Sequence, residues 1–144
     1  MGTRSTIALE FADGTVEQVY CHWDGYLSNN GKILAEHYMD PFKVKALVAL
    51  GGFSSLESTV EATAEQAYTR RGESCDIAKF KDFQEYTREA QFEEYDYILR
   101  NVNGQATWFV QFYGTDGEYL KLAEAFEMKR SAKNEQGSRI GIRH

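Results

Sequence analysis

Residues 95 to 113 constrain the fold of this chain more than any other segment. Tyr95 to Asn101 and Ala106 to Tyr113 are apolar-rich runs flanking Asn103-Gly104, the kind of dipeptide that closes a two-residue type I′ turn because both positions need φ > 0. The turn sets the register, so Tyr95, Tyr97, Leu99, Trp108, Val110 and Phe112 share one face. That face is the expected core. Ile98 and Phe109 fall on the other side and are the expected apolar interface residues if that side is exposed.

A second hairpin is expected over residues 4 to 23. Ile7, Leu9 and Phe11 alternate with polar residues, Ala12-Asp13-Gly14 supplies the turn, and Val16 to Trp23 return. A type I turn with Gly14 left-handed sets Phe11 against Thr15, Ile7 against Val19 and Ser5 against Cys21, which keeps Glu10 away from Glu17. Ile7, Leu9, Val19 and Cys21 then share a face, and Thr6, Tyr20 and His22 share the other.

The intervening sequence reads as helices. Ser28-Asn29-Asn30-Gly31 is a polar bend leading into a helix from about Lys32 to Met39. Asp40-Pro41 starts the next, which Gly51 stops. Residues 57 to 71 have helical spacing with a loop as the competing reading, and Lys79 to Ala90 reads as a helix through Phe80, Phe83 and Thr87. Thr115 and Glu118 form a candidate capping box for a helix to about Arg130. The expected architecture is a single α+β domain over residues 1 to 130, with two antiparallel hairpins, joined as one antiparallel sheet or kept apart, packed with amphipathic helices. Residues 131 to 144 read as a polar, basic tail that needs a partner to order it.

Charge narrows the function. The chain carries a net −6, distributed as −2 over residues 1 to 56, −8 over 57 to 128 and +4 over 129 to 144. An acidic middle argues against direct DNA binding, which relies on Lys and Arg neutralising phosphates. No stretch approaches the ~18 apolar residues of a membrane span, and the first residues lack the apolar core of a secretory signal. A cytoplasmic location without membrane association is expected, with Cys21 and Cys75 reduced.

Cys21-His22-Trp23-Asp24-Gly25-Tyr26 gathers a thiol, an imidazole, a carboxylate and two large aromatics around a glycine. Cys21 and His22 adjoin on a strand and face apart, so they make no nucleophile–base pair. His22 and Asp24 are spaced to share a face, where a carboxylate orients an imidazole; a simple Asp-Gly turn is the alternative. Cys21, His22, His37 and Cys75 lack paired ligand spacings, so neither a metal nor a cofactor is expected. Ser28 to Lys32 offers a helix entry that cradles an anion, with Lys32 adding charge, or an ordinary helix start. Glu89, Glu93 and Glu94, with Asp82, Glu85 and Asp96, form an acidic set that either mimics a phosphate array or is a solvated face.

Met1-Gly2-Thr3-Arg4-Ser5-Thr6-Ile7, Tyr20 to Tyr26, and Asn30-Gly31-Lys32-Ile33-Leu34 together resemble small uncharacterised proteins of tailed bacteriophages and bacteria. The similarity is strongest over residues 1 to 56 and returns at Glu94-Tyr95-Asp96-Tyr97 and the Trp108 strand. Leu27 stands where many of those sequences have proline. The resemblance implies a phage or mobile-element context and assigns no catalytic residue. The leading expectation is a non-enzymatic accessory protein that binds and modulates a host or defence protein, with His22, Trp23, Asp24, Tyr26 and Lys32 as binding residues. The alternatives are a small-molecule or nucleotide-binding protein using the same segment, and a hydrolase using His22 and Asp24.

Overall fold

The computed structural model describes residues 3–73 and 77–130. Strands β1 (Ser5–Glu10), β2 (Val16–Cys21), β3 (Ala78–Phe80), β4 (Tyr95–Val102), β5 (Gln105–Phe112) and β6 (Leu120–Lys121) form one sheet in the order β3-β2-β1-β4-β5-β6. Helices α1 (Lys32–His37), α2 (Pro41–Val48), α3 (Val60–Ala64), α4 (Phe83–Glu89) and α5 (122–130) complete the α+β fold. Among the described residues no helix is long and apolar enough to cross a membrane. The expected basic tail and Cys75 lie outside the described residues.

Both hairpins form in the expected registers. Phe11 N–H donates to Thr15 O, Gly14 has φ +91°, and Ser5 and Ile7 pair with Cys21 and Val19. Asn103 and Gly104 take φ of +53° and +85°, setting Val102 opposite Gln105. The hairpins join through β1 and β4, which run parallel from Ser5 opposite Tyr95 to Leu9 opposite Leu99. The sheet is therefore mixed, with one parallel pairing among antiparallel ones.

One sheet face buries Ile7, Val19, Tyr97, Leu99, Trp108 and Val110 against Leu34 of α1, Tyr38 just after it, Leu47 of α2 and Ala125 of α5. Trp108 Nε1 donates to Tyr38 O at 2.8 Å, satisfying the indole where it is buried. The other face is also covered. Tyr86 and Phe83 of α4, with Phe80, Phe92 and Tyr119, pack over Ala8, Val16 and Ile98. Ile98 is fully buried and Phe109 packs at the edge of this cluster, so neither forms the expected exposed interface.

Three helix expectations change for local reasons. Lys79 and Phe80 of the expected Lys79–Ala90 helix pair with β2 instead, together with Ala78, and α4 starts where the Asp82 side chain accepts from Glu85 N–H at 2.8 Å. The 57–71 segment splits into α3 and a 3₁₀ turn at Tyr68–Arg71, because Ala67 bridges to Phe53 between them. Thr115 does not cap the helix that runs to Arg130 but closes a 3₁₀ turn at Tyr113–Thr115. Its hydroxyl accepts from Phe112 N–H and donates to Phe112 O, Leu120 and Lys121 then form β6, and α5 begins at residue 122.

Two-sided burial makes Ile98 a core residue. Ile98→Ala is expected to lower unfolding free energy by about 2–4 kcal/mol, measured by urea denaturation. A change below about 0.5 kcal/mol, the usual surface value, would contradict the packing of α4 on this face.

Candidate functional site at one end of the sheet

The chain leaves β2 at Cys21 without leaving the sheet. Where β3 stops, Phe53 takes over the free edge of β2: Phe53 N–H donates to Tyr20 O, His22 N–H to Phe53 O and Trp23 N–H to Ser54 O. Asp24 then turns the chain with φ +58°. The turn is closed by its backbone, since Asp24 O accepts from Asn30 N–H and Asn29 Nδ2. Its carboxylate makes no hydrogen bond or ion pair among the described residues.

Gly25 is required by close approach. A Cβ there would sit 2.6 Å from Ser5 Cβ and 2.9 Å from Thr3 O. Gly25 N–H donates to Thr3 O at 2.8 Å, and the Tyr97 hydroxyl donates to Gly25 O at 2.6 Å. Buried Asn30 extends this scaffold, its Nδ2 reaching Ser5 Oγ at 3.2 Å and Cys21 Sγ at 3.4 Å. Leu27–Gly31 form a π-helical turn that runs directly into α1.

This geometry decides several expectations. Cys21 is fully buried, and desolvation pushes its thiol up to about 11, which suppresses the nucleophilic thiolate. His22 lies on the opposite face, with Nδ1 2.7 Å from the Tyr20 hydroxyl and its ring edge-on to Trp23 at 4.6 Å. The structure does not join His22 to Asp24, so the imidazole–carboxylate unit of the hydrolase alternative is not assembled. The anion cradle at residues 28 to 32 is not formed either, because Asn30 and Gly31 N–H are spent on Asp24 O and Tyr26 O. No group of three or more His, Cys, Asp or Glu side chains is placed to hold a metal among the described residues.

What remains exposed is informative. Trp23 is 42% exposed and Tyr26 39%. Lys32 and Tyr26 meet across a cleft of about 490 Å³, where they face Tyr95, Phe126, Lys129 and Arg130. Sequence reasoning missed the last four as site residues. Tyr95, on the expected core face, lies at the border between core and cleft.

Glu93 and Glu94 line a second groove, of about 550 Å³, with Asp96, Tyr113 and Asp116. Glu89, at the end of α4, is exposed and does not line it. Tyr113, wholly exposed, was not a sequence candidate. Asp96 differs from its acidic neighbours in being 1% exposed. Its Oδ1 accepts from Thr6 Oγ1 at 2.7 Å and Glu93 N–H at 2.9 Å. These bonds favour ionisation, yet burial outweighs them and pushes its pKa up to about 7, with nearby Glu93 adding to the rise. The Tyr86 and Tyr119 hydroxyls are buried without a hydrogen-bond partner among the described residues.

Strand direction gathers these groups. The end of β2, the starts of β1 and β4 and the end of β5 all lie at one end of the sheet, because β1 and β4 are parallel and each is antiparallel to its hairpin partner. Arg4 N–H donates to Glu94 Oε1 and Tyr95 N–H to Arg4 O across this end.

Two predictions test the site's construction. Gly25→Ala is expected to destabilise by about 1–3 kcal/mol through overpacking, whereas Asp24→Asn, which tolerates the left-handed backbone, should stay within about 0.5 kcal/mol of the native chain. For Asp96, the folded state holds its proton more tightly than the unfolded state, whose pKa is near 3.8. Its contribution to stability therefore declines as pH rises through the interval from about 4 to about 7. Asp96→Asn, which keeps an oxygen for Thr6 and Glu93, should raise Tm relative to the native chain at pH 8 and lose that advantage near pH 4. Thermal unfolding at both pH values checks this; an equal shift at both would show that Asp96 does not titrate in this range.

Comparison with protein-family models, with curated proteins and with solved structures found no match for this chain.

Proposed function

We propose that this chain is a non-enzymatic accessory protein that binds and modulates a host or defence protein through this end of the sheet. One observation carries the reading. Topology brings exposed Trp23, Tyr26 and Tyr113 together with Asp24, Glu93, Glu94 and Asp116 from three separate stretches of sequence. Exposed aromatics are the side chains that anchor protein interfaces. The carboxylates suit a partner surface rich in Lys and Arg, and complementary charge speeds encounter and selects partners. The phage or mobile-element context rests on the sequence resemblance, and a cytoplasmic location accompanies that reading.

The same charge supports a protein partner over DNA, whose phosphates these carboxylates would repel. The separation of His22 from Asp24 and the burial of Cys21 support a binding role over hydrolysis.

The test is capture from a bacterial lysate followed by affinity measurements on the purified partner. Trp23→Ala and Tyr113→Ala are each expected to weaken binding by about 2 kcal/mol, as hot-spot aromatics do. Glu93→Lys with Glu94→Lys should slow association, and added salt should weaken it. A partner indifferent to the aromatic substitutions, the charge reversals and salt would refute this surface as its docking site.

A further inference from the structure

We propose that the cleft between α1, the start of β4 and α5 binds a small amphipathic anion: an apolar chain ending in a carboxylate or phosphate. The inference is independent of the partner-binding reading. At about 490 Å³ the cleft falls within the range of roughly 300–1,000 Å³ typical of small-molecule sites. Leu27, Ala35 and Phe126 supply aliphatic and aromatic walls, and Tyr95 closes one side. Tyr95 is held in place by stacking on Phe112 at 5.2 Å and Tyr97 at 6.5 Å. The wall is thus fixed before a ligand arrives, which lowers the ordering cost of binding.

The rim specifies the sign of the ligand. Lys32 comes from α1, and Lys129 and Arg130 from α5; they face Glu36 as the one carboxylate lining the cleft. Arg130 is paired with Glu127. Lys32 and Lys129 form no ion pair or hydrogen bond among the described residues; Lys129 lies 5.5 Å from the Phe112 ring centre. Two ammonium groups without an ion-pair partner among the described residues, one of them over the Phe112 ring, therefore line this largely apolar cleft in a chain of net charge −6. The Tyr26, Ser28 and Tyr95 hydroxyls, at the same cleft, also lack hydrogen-bond partners among the described residues. This combination fits an apolar body that covers the wall and an anionic head that takes charge-assisted hydrogen bonds from the lysines.

The neighbouring groove supplies an internal contrast. It shares Tyr95 with the cleft, and Glu93, Glu94, Asp96 and Asp116 line it. An anionic head is repelled there, so the ligand's polarity also fixes its position.

Isothermal titration calorimetry on the full chain tests the proposal with decanoate and decyl phosphate below their micelle concentrations. Decyltrimethylammonium and decyl maltoside control for the head group, and acetate and inorganic phosphate for the chain. The two decyl anions should bind at one site at least about tenfold more tightly than any control; their ratio distinguishes carboxylate from phosphate as the preferred head. Lys32→Ala with Lys129→Ala should weaken them about tenfold, the scale of a lost charge-assisted contact, with circular dichroism and Tm unchanged. Ala35→Phe, which fills the cleft, should abolish binding. Equal binding of the neutral or cationic decyl compound, or unchanged affinity in the double-lysine variant, would overturn the proposal. So would sedimentation showing that a second copy covers this cleft and no probe enters.

Discussion

The parallel pairing of β1 with β4 is the constraint on which the rest of the structure depends. Ser5 to Leu9 are buried without interruption, so β1 is covered on both faces and bonded along both edges. Polar contacts hold its register with β4. Thr6 Oγ1 meets Asp96 Oδ1, and Glu10 takes two hydrogen bonds of 3.2 Å from Arg100. A slip of two residues would set Asp96 against Ala8, leaving a buried carboxyl without the Thr6 bond. The cost of burying Asp96 thus also penalises the wrong register, a role for which buried polar groups are suited. Reversed, β4 would carry Glu93, Glu94 and Tyr113 to the end of the sheet opposite Trp23.

The hairpins were legible because their information is local: a turn dipeptide, alternation and the avoidance of opposed glutamates. The divergence of Cys21 from His22 followed from the same alternation. The join between hairpins was not legible, since it pairs residues 90 apart and nothing in either strand names its partner. The second buried face did leave a signal. Ile7-Ala8-Leu9 and Tyr97-Ile98-Leu99 are unbroken apolar runs, and such runs mark strands covered on both sides. Phe80 misled because its three-residue spacing from Phe83 imitates a helix, while Asp82 between them is a cap. The cleft around Tyr26 and Lys32 needed α5, nearly a hundred residues further along, and no local pattern pointed there.

The hexapeptide that drew attention in the sequence has two populations of residues with different physical tasks. Cys21 and Gly25 face inward, where Asn30, Ser5 and Tyr97 bind them into the junction of β1, β2 and β4. His22, Trp23, Asp24 and Tyr26 face outward from that junction. A rigid scaffold beneath exposed side chains lowers the entropy lost on binding. The clustering of unusual residue types thus reflects a structural requirement and an exposed surface on adjacent positions.

Net charge describes this molecule poorly at the scale on which ligands meet it. Two concave surfaces share the Tyr95 ring, one rimmed by lysines and arginine and the other by glutamates and aspartates. Salt at physiological strength screens exposed charges beyond about 8 Å, so each surface presents mainly its own sign to a bound group. Tyr95, stacked on Tyr97 and on Phe112, is a fixed element common to both. Charge selection at this end of the sheet is therefore set by which of two adjoining surfaces a ligand occupies, and the overall acidity of the chain acts mainly on approach from a distance.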